Sequence, residues 1–114
     1  MAWRVELAAE AERDLGLIFE HLVESHLEFG EDLEEAFVRA GVRVREVRRA
    51  ADRLGAAPHR GERHDALLPG LRHVTMSRAV YWFVVDEPAE VVRVLAVFWG
   101  GQDHIRHMLA RLLG

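Results

Sequence analysis

The spacing of apolar positions changes along the chain, and each change marks a new element. Trp3-Arg4-Val5-Glu6-Leu7 alternates apolar and polar residues, the period of a short half-buried strand. From Ala8 the period lengthens. Leu15, Ile18, Phe19 and Leu22 fall at i, i+3, i+4 and i+7, one stripe of a helix. Glu10, Glu12 and Asp14 lie near its start, where the helix dipole favours carboxylates, and Gly30 ends it. A second helix begins near Glu31 or Asp32. It keeps the helical period through Leu33, Ala36, Phe37, Ala40, Val44, Val47, Ala51 and Leu54, a rod roughly 35 Å long at about 1.5 Å per residue. The short link at Gly30 folds the two helices into an antiparallel hairpin. Gly55 to Gly70 has no period and reads as a long loop anchored by Leu67-Leu68, the kind of segment that often carries function. Three strands follow: Leu71 to Met76, Val80 to Val85 and Val91 to Trp99. The short links between them make them antiparallel neighbours. Gly100-Gly101 closes the sheet. Gln102 to Leu113 reads as a helix with Ile105, Met108, Leu109 and Leu112 on one face and His104, His107 and Arg111 on another. The pattern predicts one α+β domain over 1–114: a short N-terminal strand, an antiparallel helix hairpin packed on a mainly antiparallel sheet of three to four strands, and a C-terminal helix.

The last two strands do not alternate. Val80-Tyr81-Trp82-Phe83-Val84-Val85 and Val94-Leu95-Ala96-Val97-Phe98-Trp99 are apolar on both faces, whereas an antiparallel sheet with one wet face alternates. The hairpin covers one face. The other needs the C-terminal helix, another chain, or both. Leaving about 400 Å² of it wet would forgo ~10 kcal/mol at about 25 cal/mol per Å², as much as the net stability of a domain.

Composition narrows the chemistry. The chain has no cysteine, which excludes disulfides, thiolate metal sites and cysteine nucleophiles. The N-terminus lacks a basic segment followed by an apolar one, and the longest apolar run, Ala79 to Val85, is far too short to span a bilayer. A cytoplasmic protein with no membrane association is expected. All 15 basic residues are arginine. Residues 1–40 carry eleven acids against three arginines, and residues 41–114 eight acids against twelve arginines. A dipolar chain of this kind can present an anion-attracting face despite its net charge of −4. Arg43, Arg45, Arg48, Arg49 and Arg53 also suit the negative end of the second helix, an adequate structural reason for that cluster.

No cofactor is expected. The glycines form no phosphate-binding loop, and neither Ser25 nor Ser77 lies in a nucleophile elbow. His59, His64, Asp65 and His73 have no metal-ligand spacing, and His104 with His107 at i and i+3 is as ordinary on a polar surface as in a metal site. No metal is therefore expected. Cleavage of RNA fits the residue types better, because the 2′-OH is a built-in nucleophile and the enzyme supplies a base, an acid and cations. Arg60, Arg63, Arg72 and Arg78 offer charge, and His73, His104 and His107 titrate near neutral pH. Tyr81 or Trp99 offers a ring on which a base can stack. The spacing does not show whether these groups converge; the same arginines can instead pair with Glu62, Asp65, Asp86 and Asp103 or meet an acidic partner.

Three segments taken in order carry a resemblance: Leu68-Pro69-Gly70-Leu71-Arg72, Tyr81-Trp82-Phe83-Val84-Val85, and Val92 through Asp103 with its Gly100-Gly101. With Ala11, Asp14, Leu15 and Ile18 at the first-helix spacing, this order resembles the RelE/ParE superfamily of type II toxin–antitoxin toxins over most of the chain. The resemblance implies a small toxin neutralised by a cognate antitoxin whose C-terminal segment wraps it, and contact with operator DNA only through that antitoxin. ParE-branch members poison DNA gyrase. RelE-branch members cut mRNA on the ribosome with arginine, lysine and a tyrosine or histidine near the C-terminus. This chain has no lysine, and Gln102 stands where a basic residue is common in both branches. An acidic total also disfavours docking on rRNA, although the positive second half softens that objection. A ParE-like, non-enzymatic gyrase inhibitor that arrests growth is the preferred expectation. A RelE-like mRNA interferase and an inactive toxin-like binding module are the alternatives. Antitoxin contacts are expected at Leu15, Phe19, Leu22, Phe37, Trp82, Val84 and Phe98. Target contacts are expected at Arg72, Arg78, Trp99, His104, Arg106 and His107. If the chain is an RNase, Arg60, Arg63, Arg72, Arg78, His104 and His107 are its catalytic candidates, with Arg78 and His107 near the superfamily's strand arginine and terminal acid–base residue.

Overall fold

The computed structural model describes residues 2–114. Its elements follow in the order β1 (Arg4–Leu7), α1 (Ala9–Glu28), α2 (Leu33–Ala51), a 3₁₀ turn (Asp52–Gly55), β2 (Glu62–Arg63), β3 (Arg72–Met76), β4 (Ala79–Asp86), β5 (Val91–Trp99) and α3 (His104–Leu113). One sheet runs β1-β5-β4-β3-β2. β1 is parallel to β5 and every other pairing is antiparallel. The expected α+β class holds, with five strands rather than three or four. The extra pairing comes from Glu62–Arg63, inside the predicted loop, which meets His73 and Arg72. Two residues are too few for an alternation to be read.

Both helices of the hairpin end where the sequence places their boundaries. Gly30 takes the left-handed φ of +92° after α1, and the Asp32 side chain caps α2 by accepting the Glu35 N–H at 2.8 Å. The buried stripe of α2 matches expectation at Ala36, Ala40, Val47 and Ala51 and departs from it at Leu33 and Phe37. Ala36, Ala40, Val47, Ala50 and Ala51 face inward, while Leu33 and Phe37 are exposed. The short alanines let α2 lie close against α1, and the bulkier residues are displaced outward. Phe37 meets the half-buried Phe19 edge-on at 5.5 Å between ring centroids.

The sheet is buried on both sides by the chain itself. Tyr81, Phe83, Val92, Val94 and Val97 pack into the hairpin core. Leu71, Val80, Trp82 and Ala96 pack with Met108 into a second core under α3. The C-terminal helix thus supplies the cover that the two-faced strands demand. A bulge sorts the side chains of β5: Trp82 pairs with Ala96 but Phe83 pairs with Val94, leaving Leu95 as the extra residue. The extra residue switches parity, so that Val92 and Val94 before it and Val97 and Trp99 after it all face the hairpin.

The stripe by which α3 docks is also not the apolar one expected. Met108 is buried and Leu112 half-buried, but Ile105 and Leu109 are exposed. Arg111 turns inward instead. It clamps Asp14 of α1 with two bonds of 2.8 Å, lies 3.3 Å from Glu10 and stacks over the Phe98 ring at 5.3 Å. Asp14 is 3% exposed and also accepts the Val97 N–H at 2.9 Å. That N–H is free because β1 stops opposite Val94. Removing one partner of a buried ion pair strands the other, at a cost of about 3 kcal/mol. Asp14→Ala is therefore expected to lower unfolding free energy by about that amount in urea titration, and near-UV dichroism should report loosened packing around Trp82.

Tyr81 lies in the hairpin core and donates its hydroxyl to the Val47 carbonyl at 2.7 Å. Its complete burial removes it from the candidates for base stacking. Burial pushes its phenol up to about 12, with Arg53 and Arg43 acting weakly in the opposite direction. A raised value means stability that is intact below pH 10 and lost as pH climbs from about 10 to 12, roughly 2–3 kcal/mol in all. Tyr81→Phe should abolish that alkaline loss while costing about 1 kcal/mol at neutral pH. Denaturant titrations at pH 7 and pH 11 measure both.

Candidate functional site

The structure separates the predicted site residues into three places. The first is the end of the sheet where β3 turns into β4 and β5 finishes. Ser77 and Arg78 form the two-residue turn, both with left-handed φ (50° and 65°) and neither a glycine. Such a turn normally takes Asn-Gly, and each non-glycine residue costs of order 1 kcal/mol there. The turn holds the Arg78 guanidinium 5.9 Å from the centroid of Trp99, which Arg43 of α2 approaches to 5.3 Å. These three residues, with Arg39, Val38, Val42 and His26, line a cleft of about 460 Å³ between the hairpin and the sheet end. Trp99 also lines a second cleft of about 350 Å³ between α1 and α3, with Leu17, Phe98, Gln102 and His107. Arg78 and Arg43 thus meet on the half-buried Trp99 ring, with His107 lining the neighbouring cleft, and cations on an aromatic ring are groups that a target contact uses. Arg39 and Arg43 were missed. Their i, i+4 spacing was the available signal, but the helix dipole explained the arginines of α2 equally well.

The second place lies at the other edge of the sheet. Glu62 of β2 pairs with His73 of β3, so their side chains share a face, and His64 follows by alternation. His64 Nε2 lies 2.6 Å from His73 Nδ1 and 3.1 Å from Glu62 Oε2. The His64 and His73 rings pack against Trp82 at 4.7 and 4.9 Å, and the His104 ring of α3 packs on His73 at 4.5 Å. Burial, reinforced by the neighbouring imidazoles, holds His73 and His104 below the usual histidine range. Arg63 and Arg72 oppose each other in the same ladder, one residue out of phase with the histidines, and so project to the other face. Arg72 donates to the His59 carbonyl at 2.7 Å and Arg63 pairs with Asp65 at 2.9 Å. The six RNase candidates therefore do not form one centre. His104 joins the histidines, Arg63 and Arg72 are engaged elsewhere, Arg78 stands at the opposite end, and His107 lies against Phe98 at 5.7 Å. Arg60 is exposed on the loop.

The third place is apolar. Phe37 is 49% and Val38 60% exposed on α2, beside Leu33 and Val42. Ile105 is 47% and Leu113 81% exposed on the outer side of α3, beside Leu109 and Arg106. Of the expected antitoxin contacts, Phe37 is on this surface, and Phe19, Val84 and Phe98 are half-buried. Leu15, Leu22 and Trp82 are taken up by the chain's own cores, which moves the open apolar surface from the sheet to the helices. Among the described residues no helix is long and apolar enough to cross a membrane.

No protein-family model and no curated protein sequence matches this chain. Solved structures do. A chain of the chromosomal ParDE toxin–antitoxin system from P. aeruginosa superposes with a TM-score of 0.60 at 18% identity, over 86% of this chain and 96% of that one. A chain of the toxin–antitoxin complex RelBE2 from Mycobacterium tuberculosis gives 0.51 at 16% identity, over 87% and 99%. The fold is thus the one found in ParDE and RelBE2 complexes, as the sequence resemblance implied.

The strained turn makes a prediction about the first place. Replacing Ser77-Arg78 by Asn-Gly is expected to leave unfolding free energy equal to or about 1 kcal/mol above that of the parent, since it relieves the turn while removing the cation from Trp99. Thermal and urea unfolding of the double variant check this.

Proposed function

We propose that this chain is the toxin of a type II toxin–antitoxin module, acting in the cytoplasm, and that it arrests growth by binding DNA gyrase without catalysing a reaction of its own. The toxin reading is supported by the shared fold and by apolar side chains left open on α2 and α3. Leu33, Phe37, Val38 and Val42 make a row on α2 of the kind that an extended or helical antitoxin segment covers. Burying them in a partner would turn a solubility liability into binding energy. The choice of target is carried by one observation, the dispersal of the RNase candidates. RNA cleavage needs acid, base and cation around one phosphate. Here the histidines lie on one face of β3, its arginine points to the other, and Arg78 is at the far end of the sheet. Arg78, Arg43 and Trp99, by contrast, form a compact basic–aromatic surface suited to gripping a macromolecule. A ribosome-dependent interferase remains the second reading because Glu62, His64, His73 and His104 do converge and could move protons.

Expression without antitoxin is expected to stop growth, and the purified chain to inhibit supercoiling by purified gyrase. Arg78→Ala with Trp99→Ala should weaken that inhibition at least tenfold, and His104→Ala should not. Undiminished supercoiling together with mRNA cuts that vanish in His104→Ala would transfer the assignment to the ribosome. Growth that continues would leave a binding module alone. Phe37→Glu with Val38→Glu is expected to weaken antitoxin binding by about 2 kcal/mol, roughly 30-fold, with only a small loss of thermal stability, since Val38 is mostly in water and Phe37 gives up its edge contact with Phe19.

A further inference from the structure

We propose that Glu62, His64 and His73 bind one zinc-class divalent metal ion, with the His104 ring as a wall of the site. No spacing in the sequence announces this site. It is assembled by the two-residue strand β2, which lays Glu62 and His64 beside His73, and by the docking of α3, which brings in His104.

The geometry is that of a ligand set. One donor atom from each of Glu62, His64 and His73 lies within 4.8 Å of the other two. The three separations are 2.6 Å (His64 Nε2 to His73 Nδ1), 3.1 Å (His64 Nε2 to Glu62 Oε2) and 4.0 Å (His73 Nδ1 to Glu62 Oε2). They bracket the roughly 3.3 Å edge of a tetrahedron whose metal–ligand bonds are about 2.0 Å. The donors are imidazole and carboxylate, the set that zinc and its first-row neighbours share.

Hydrogen bonding alone satisfies this cluster poorly. His64 Nε2 faces an imidazole nitrogen at 2.6 Å and a carboxylate oxygen at 3.1 Å, and whichever imidazole carries the proton between the rings, neutral His64 can make only one of these two contacts a full hydrogen bond. A cation at the centre engages all three at once. His104 has a buried Nδ1 with no partner among the described residues. Its ring lies 4.5 Å from His73 and 5.5 Å from Trp82 by centroids and walls the cluster on the side of α3. Ligands on β2, β3 and the segment after β2 would tie the long 55–70 loop to the sheet edge.

The test titrates the full-length, metal-stripped chain with Zn(II) by calorimetry and follows Co(II) by visible absorption. One Zn(II) per chain, a raised melting temperature and intense tetrahedral Co(II) bands are the expected results. Glu62→Gln, whose side chain is mostly in water and whose folding is not at issue, should weaken Zn(II) binding at least tenfold. His73→Gln should do the same or more. His21→Gln and His59→Gln, remote from the cluster, should bind as the parent does. Absence of saturable Zn(II) binding overturns the proposal, and so does binding that Glu62→Gln and His64→Gln leave unchanged, since the ion would then sit on other histidines.

Discussion

A carboxylate buried to 3% exposure tolerates its position only if it is fully bonded, and Asp14 is bonded by two elements far away in sequence. It takes the Val97 N–H that β1 leaves free and both arms of Arg111. The first contact seats α1 on the bare stretch of β5. The second brings the end of α3 back across the sheet to α1. The two apolar cores therefore share one polar rivet. Without it, α3 would be held over Trp82 by Met108, Leu112 and the His104 ring, with no anchor at its C-terminal end. The cost of desolvating the ion pair is offset by the apolar area that it keeps covered.

This rivet also explains where the sequence was legible. The span of β5 matched to the residue, because nine apolar or half-apolar positions between a turn and two glycines leave little choice. Its facing was hidden: a strand apolar on both sides shows no parity, and the Leu95 bulge inverts what parity there is. In α3 the apolar rule pointed to Ile105 and Leu109, but inward placement went to Arg111 and His104. Their partners, Asp14 and His73, lie 97 and 31 positions away, and no local pattern encodes a long-range partner. In α2 the helical period put Leu33 and Phe37 on one stripe with Ala36, Ala40, Val47 and Ala51. The narrow hairpin selected alanines because they are small.

The sites follow the same logic. Arg78 and Trp99 could be singled out by residue type alone, since an arginine in a tight turn and a tryptophan at a strand end are costly to place without use. Arg43 could not, because its place in a run of arginines toward the end of a helix already had a structural account, and Arg39 stood alone outside that run. The histidine cluster was least legible. Its members come from a two-residue strand, its flanking residue, the next strand and a helix that arrives after two glycines with φ of +82° and +77°. Only the fold makes them neighbours.

α3 is amphipathic in an inverted sense, and that inversion is informative. Its inner side is anchored by polar groups at both ends, His104 at the sheet edge and Arg111 at α1, with Met108 between them. Its outer side presents Ile105, Leu109 and Leu113 to water. Polar anchors fix one register, because a slip of one residue would strand Asp14 and Arg111 together, whereas an apolar stripe tolerates sliding. A helix fixed in this way does not need its large aliphatics inside, and their exposure is not forced by packing. A chain that otherwise buries almost all its large strand residues keeps three such side chains on α3 and four on α2 in water. A partner that covered α2 and α3 would remove those residues from water, which is the cover that the proposed toxin reading calls for.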